Sequence, residues 1–413
     1  MLFILAALAV TAAAQGLNGT CPVPLSQQRT NLTTIGLCSG DLDVIGPELQ
    51  AVHEYVRAPT GLAVDLDANL FFTYARNMEP QNWTLTKATG FNSEAPWPSA
   101  EWQNCAAGQN ASECFVNVQN VVLDAEGVFW VIDSGVPNGA AQPTPYGAKV
   151  ISFNYTTAEV IRTYIYPPEL YNVKLQLNDI KINNTLGYAF ITEDSAYGSI
   201  STINLKTGAT VRHIFNSSFT TPDPNFISMY NGDVIRNWSG TKSSVLNSGT
   251  NGIALTGGNV YWGVKASNHW YYAPQEAFTS NLTDAEIEAV IQNPGNFPSE
   301  QAGFTADDRG RVYICASAQN AILYADTQQS EVTDEINGIP AGGSGMVAAA
   351  NYNLKTLVRG GQLQAADTMA ILDGWLYFTT NQQGLAPGRQ YKNIDKRRGP
   401  FRSYRVWIGR GPA

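Results

Sequence analysis

Val118-Gln119-Asn120-Val121-Val122-Leu123-Asp124-Ala125-Glu126-Gly127-Val128-Phe129-Trp130-Val131-Ile132-Asp133 decides the fold. A short apolar run meets a polar turn closed by glycine, and an aromatic-rich run follows. Runs of this kind are strands, and Glu-Gly, Asp-Gly or Gly-Gly steps reverse a chain within a few residues because glycine accepts positive φ. The same phrase recurs from Thr60 to Thr73 around Asp67-Ala68-Asn69 and from Leu177 to Thr192 around Asn183–Gly187. It recurs again from Asn251 to Gly263 around Gly257-Gly258, from Ala302 to Ile314 around Asp308-Arg309-Gly310, and from Thr368 to Phe378 around Asp373-Gly374. Outer pairs such as Lys149–Asn154 with Val160–Tyr164, and Ile200–Ile203 with Ala209–Ile214, complete the unit. Four antiparallel strands recurring about every 50 to 75 positions are the blades of a propeller. A lone blade leaves both faces exposed, whereas a closed ring buries them. The sequence therefore predicts an all-β, six-bladed β-propeller, closed where His53–Val56 meets Phe401–Trp407.

Beyond the repeats, Met1–Ala14 carries a short apolar core ending in small residues, the pattern of a secretory signal peptide. Residues 15–51 form an N-terminal extension and 52–409 the propeller. Within it, 77–113, rich in Trp and Pro, suggests a cover over one face, and about 274–292 a helical insertion capped near Thr283 or Asp284. No later segment is apolar for long enough to span a bilayer. Secretion and an extracellular location are the expectation. Nine Asn-x-Ser/Thr sequons support it: Asn18, Asn31, Asn82, Asn110, Asn154, Asn183, Asn216, Asn237 and Asn281. Five cysteines fit an oxidising compartment, with Cys21 paired to Cys38 and Cys105 to Cys114, and Cys315 left as a small buried hydrophobe.

A net charge of −9 with 14% charged residues argues against nucleic acid and anionic membranes as partners, leaving a small-molecule ligand. The basic cluster Lys392, Lys396, Arg397, Arg398, Arg402, Arg405 and Arg410 is a solvated, acid-neutralising face. Three histidines exclude a multi-copper oxidation centre, and no zinc, phosphate-loop or nucleophile-elbow motif is present.

The repeats in their order resemble the major royal jelly protein and insect yellow protein family over roughly Val52 to Gly409. The resemblance rests on Phe71-Phe72-Thr73 with Arg76, Pro96-Trp97-Pro98, Phe129–Gly135, Asn178-Asp179 with Ala189–Asp194, Asn251–Leu255, Asp367–Ala370 with Tyr377–Gln382, and Phe401–Val406. It implies a secreted six-bladed propeller, in a family associated with dopachrome conversion, aromatic amine binding and nutrition. A more distant resemblance links the repeat to gluconolactonase and regucalcin-type propellers, whose channel holds a divalent metal. Asn178 and Asn251 match the two metal-binding asparagines of that type. Gln301 stands near the expected aspartate and Thr60 near the expected glutamate, so at most Asn178, Asn251 and Asp179 would hold a calcium-like ion. No cofactor is required by the sequence.

Inner strands of a propeller start at one mouth of the channel. Asn120, Asn178, Asp179, Asn251, Gln301, Asp367 and Thr368 occupy those starts and form a candidate ligand floor. Asp179 and Asp367 are the candidate acid and base. His269 and Trp270 are candidate rim contacts, as are Trp97 and Trp102. Asp133 and Asp194, in similar frames, suggest blade turns. The functional expectation is binding, with isomerisation or hydrolysis, of a small polar or aromatic metabolite. The alternatives are a metal-assisted sugar lactonase and a non-catalytic extracellular glycoprotein.

Overall fold

The computed structural model describes residues 44–333, 335 and 341–413. Residues 1–14, expected as a signal peptide, and Cys21, Cys38, Asn18 and Asn31 lie outside them. Six antiparallel sheets stand around a central channel, each starting at the axis. The inner strands of blades 1 to 6 are Gly61–Val64, Val118–Leu123, Leu177–Asn183, Thr250–Thr256, Gln301–Ala306 and Ala366–Leu372.

The turn residues do what their chemistry suggests. In blades 1, 2 and 5 an aspartate ends the inner strand and its Oδ1 accepts two backbone N–H groups of the turn. Asp65 takes those of Asp67 and Asn69, Asp124 those of Glu126 and Val128, and Asp307 those of Arg309 and Arg311. In blade 4 Gly257 and Gly258 both have positive φ, 56° and 76°, the requirement of a tight two-residue hairpin.

Apolar side chains pack between blades. One cluster joins blades 1 and 2 through Phe71, Phe129 and Phe153, and another joins blades 5 and 6 through Tyr313, Phe378 and Tyr404. Similar clusters fill the other four interfaces. Burying both faces of every sheet in this way is the main stabilising term of the ring.

The ring closes as expected. Gln50–Tyr55 from the start of the described chain pairs with Phe401–Trp407 from its end, completing blade 6. Arg402 reaches Glu54 at 2.9 Å, Arg405 donates to Gln50 Oε1 at 3.1 Å, and Arg410 pairs with Glu331 at 2.7 Å. Arg402 and Arg410 of the basic cluster thus neutralise acids at or beside the seam.

Two expectations are corrected. Within 77–113, Leu85–Gly90 and Ser93–Pro96 are the outer strands of blade 1, not a cover. Trp97 and Trp102 pack against Phe153 on the outer side of the interface between blades 1 and 2, away from any rim. Leu85–Gly90 is half polar and Ser93–Pro96 ends in proline, so neither shows a strand period, and pairing with Leu70–Thr73 is what holds them in the sheet.

Blade 4 has three strands. Two short helices, Gln275–Thr279 and Asp284–Glu288, follow its third strand, the second opened by a Thr283–Glu286 capping box. Ala277, Phe278 and Ile287 fill the apolar interface with blade 3. Backbone bridges from His269 to Asn296 and from Tyr272 to Gln292 are what remains of a fourth strand. Cys105 and Cys114 form a disulfide, and Cys315 is free and buried. No helix among the described residues is long and apolar enough to cross a membrane.

Candidate functional site

Each inner strand from blade 2 to blade 6 breaks register with its neighbour just after its first residue. Such a bulge turns side chains out of the strand's alternation. The displaced residues are Gln119, Asn178 with Asp179, Asn251 with Gly252, Ala302 with Gly303, and Asp367 with Thr368. The inner strands crowd here. A Cβ on Gly303 would lie 2.3 Å from the Asp367 carbonyl oxygen, so only glycine lets blades 5 and 6 approach.

A cavity opens at this mouth, with about 410 Å³ of empty space including its solvent-filled opening. Asn120, Asn178, Asp179, Asp367 and Thr368 line it, as the sequence suggested. Asn251 and Gln301 lie just behind. Asn251 Nδ2 donates to Asp194 Oδ2 at 3.2 Å, and Gln301 Oε1 accepts the Gly252 N–H at 3.3 Å. Trp270 is fully buried between blades 4 and 5, and His269 faces Asp223 at 3.9 Å; neither borders the cavity. Both were expected at the rim, but Trp270–Pro274 is the third strand of blade 4, and its alternation turns the indole into the core.

A second ring of residues had not been foreseen. In blades 2 to 6 the residue just after the second strand donates its backbone N–H to the carbonyl preceding the inner strand. Asp194 bonds to Gln176, Lys265 to Gly249 and Asn381 to Ala365, at 2.8, 2.7 and 3.2 Å. This fixed position brings Asp194 and Lys265 into the cavity wall and sets Asn381 behind Asp367. The frame explains why Asp194 seemed a turn residue. In the sheets, Asp133 pairs with Val118 and Glu193 with Leu177, so Glu193, not Asp194, is the counterpart of Asp133. Asp133 accepts the Val116, Asn117 and Gly135 N–H groups, and Glu193 those of Gln176 and Ser195. One residue further on, the side chain faces the channel.

The three cavity carboxyl groups differ in their surroundings. Asp179 Oδ1 accepts from Asn120 Nδ2 at 2.7 Å, from the Ile180 N–H at 2.7 Å and from Lys181 Nζ at 3.1 Å. Its charge is matched and its lone pairs are largely spent. Burial pushes the Asp194 carboxyl up to about 7, and the nearby Lys265 ammonium offsets only part of that. Its Oδ1 has no hydrogen-bond partner among the described residues. Burial likewise raises Asp367 to about 6, against the opposing pull of Lys265 and of Asn381 Nδ2, which donates to Asp367 Oδ2 at 2.6 Å. Asp194 therefore joins Asp367 as a group able to take and give a proton near neutrality, a part the sequence had assigned to Asp179.

A calcium-like ion does not fit the expected donor set. Asp179 is already neutralised by Lys181, Asn251 Oδ1 is the one expected donor buried without a partner among the described residues, and a second ammonium, Lys265, lines the same cavity. Calcium takes about six to eight oxygens, usually with several carboxylates. Among the described residues no group of three or more His, Cys, Asp or Glu side chains is placed to hold a metal.

Known structures share the fold. A calcium-binding regucalcin from Agrobacterium tumefaciens superposes with a TM-score of 0.50 at 11% identity, covering 89% of this chain and 96% of that one. A luciferin-regenerating enzyme gives 0.49 at 13% identity over 89% and 98%, and a putative gluconolactonase 0.49 at 11% over 89% and 94%. No curated protein sequence matches the chain. A family model does: the one described as major royal jelly protein aligns with residues 116–368, from just before the inner strand of blade 2 to Thr368 in the cavity wall. That span covers more than half of the sequence and five of the six inner-strand starts, and the chain belongs to the major royal jelly protein family.

Proposed function

We propose that the channel mouth binds a small polar or aromatic metabolite outside the cell and moves a proton on it. The observation that carries this reading is the placement of Asp194 and Asp367 in one buried cavity, raised to about 7 and about 6, with the Lys265 ammonium beside both. Two carboxyl groups that titrate near neutrality serve as base and acid in turn. An ammonium between them stabilises the oxyanion that forms when a proton leaves carbon next to a carbonyl. Isomerisation or tautomerisation needs nothing more. The metal-assisted lactonase reading has less support, since the donor set does not fit the ion.

Thermal-shift screening of sugar lactones, catechol-derived quinones and aromatic amines tests binding, and absorbance or mass analysis of each hit tests turnover. A ligand of the mouth raises the melting temperature of the wild type. Asp367→Asn keeps that shift and loses turnover by about 10²-fold or more. Chelator-sensitive hydrolysis of a lactone would overturn the proposal in favour of the lactonase.

A further inference from the structure

One cation lies in the wall of the mouth and a second in a chamber beside it. Lys265 is only 4% exposed, and its Nζ donates to Gln383 Oε1 at 2.9 Å. Arg389, half-buried on the loop that follows the second strand of blade 6, donates through Nη1 to Asn237 Oδ1. Neither makes an ion pair among the described residues. Gln383 stands between them. Its side chain lines both the mouth and an adjoining chamber walled by Tyr230, Ile235, Ala365 and Glu300, whose carboxylate accepts from Ser228 Oγ, and Arg389 also lies there. The two cations act on the same carboxyl group, since each pulls the Asp194 proton affinity down against burial.

A buried ammonium held by one neutral amide oxygen is poorly compensated, because it keeps two further N–H donors and its full charge. The three carboxyl groups of the mouth do not make up the difference. Asp179 is matched by Lys181 at 3.1 Å, and Asp194 and Asp367 are driven by burial toward the uncharged form. The Gln383 oxygen is a weak stand-in for an anionic one.

Resting on the small-molecule reading of the mouth, we propose that the ligand carries a carboxylate that displaces the Gln383 amide and lies between Lys265 and Arg389. The rest of the ligand has two places to go. An apolar body suits the chamber of Tyr230, Ile235 and Ala365, and a hydroxyl or other donor meets the unpartnered Asp194 Oδ1. Arg389 supplies a planar pair of donors and Lys265 a point charge, a combination that distinguishes a carboxylate from a neutral carbonyl.

Three probes share one ring and differ in charge: phenylacetate, phenylacetamide and phenethylamine. They are titrated calorimetrically into the full-length protein and its variants. Phenylacetate binds best, by about tenfold or more over the other two. Lys265→Met and Arg389→Gln each cost it about tenfold and leave phenylacetamide unchanged, whereas Gln383→Ala strengthens phenylacetate severalfold by removing its competitor. Arg389→Gln lies on a half-buried loop and carries the test if Lys265→Met does not fold. Preference for the amine, or phenylacetate binding untouched by Lys265→Met and Arg389→Gln, overturns the carboxylate assignment while the mouth stands as a ligand site. Binding of none of the three to either the wild type or Gln383→Ala overturns both.

Discussion

Asp194→Asn offers a direct test of the buried carboxyl group. Its folded-state affinity for a proton lies well above the ordinary value, moving from 3.8 to about 7. A raised acid stabilises the fold while it is protonated in both states, below its unfolded value, and that contribution is lost as pH rises through the folded value. At about 1.36 kcal/mol per unit, the full displacement corresponds to about 4 kcal/mol between pH 4 and pH 8. Asparagine cannot ionise, so the variant lacks this loss. A protein of this length has an unfolding entropy near 0.8 kcal/mol/K, so about 1 kcal/mol moves the midpoint by roughly 1 °C. Melting curves at pH 4.5 and pH 8 should therefore show the wild type falling further than Asp194→Asn by about 3–5 °C. Asp367 titrates in the same window and keeps a residual slope in the variant, which Asp194→Asn/Asp367→Asn removes. An unchanged difference between the two pH values in Asp194→Asn would show that the carboxyl is solvated, and the proton-transfer reading would lose its main support.

Further outcomes follow from the packing. Gly303→Ala sets a methyl group 2.3 Å from the Asp367 carbonyl oxygen, and because that neighbour is backbone the strain should cost about 1–3 kcal/mol in urea unfolding and disturb ligand binding. Replacing Cys105 and Cys114 by serine opens a short loop and should lower stability by about 2–3 kcal/mol in the same assay without altering the mouth. Glycopeptide mapping should find sugar on the exposed Asn82, Asn110, Asn154, Asn216 and Asn281. It should find little on Asn183, whose Nδ2 donates to Gln275, or on Asn237, whose Nδ2 donates to Val245 and Asn247.

The ring was legible because its cause is local and repeated. Apolar runs joined by short polar or glycine turns state the same plan six times, two matching terminal strands close it, and Asp65, Asp124 and Asp307 each close their turn in the same way. Blade 1's outer strands escaped because Leu85–Gly90 is half polar and Ser93–Pro96 ends in proline, so neither carries the period that marks a strand. The candidate site was half legible for a related reason. Inner-strand starts stand out as polar residues ahead of an apolar run, which led to Asn120, Asn178, Asp179, Asp367 and Thr368.

The second ring follows a rule that depends on pairing register. Its members, Asp194, Lys265 and Asn381, share a position one residue past the end of the second strand, yet they share no residue type. Aligning Asp133 with Asp194 by identity slips the frame by one and sends the side chain to the wrong side of the strand, whereas pairing Asp133 with Glu193 restores it. The two rings also divide the work. On the inner strands Asp179 sits in a bulge where neighbouring N–H groups and Lys181 satisfy it, so it shapes the floor, while Asp367, held at Oδ2 by Asn381, is that ring's proton-transfer group. Residues past the second strands meet the cavity from its wall with fewer partners, and this leaves Asp194 with a free oxygen and Lys265 with unspent hydrogens. Incomplete satisfaction in a buried place is costly to the fold, and a ligand that completes it recovers that cost on binding. The chemistry of this propeller is therefore to be sought where Asp194 and Lys265 of the second ring share a cavity with Asp367 of the first.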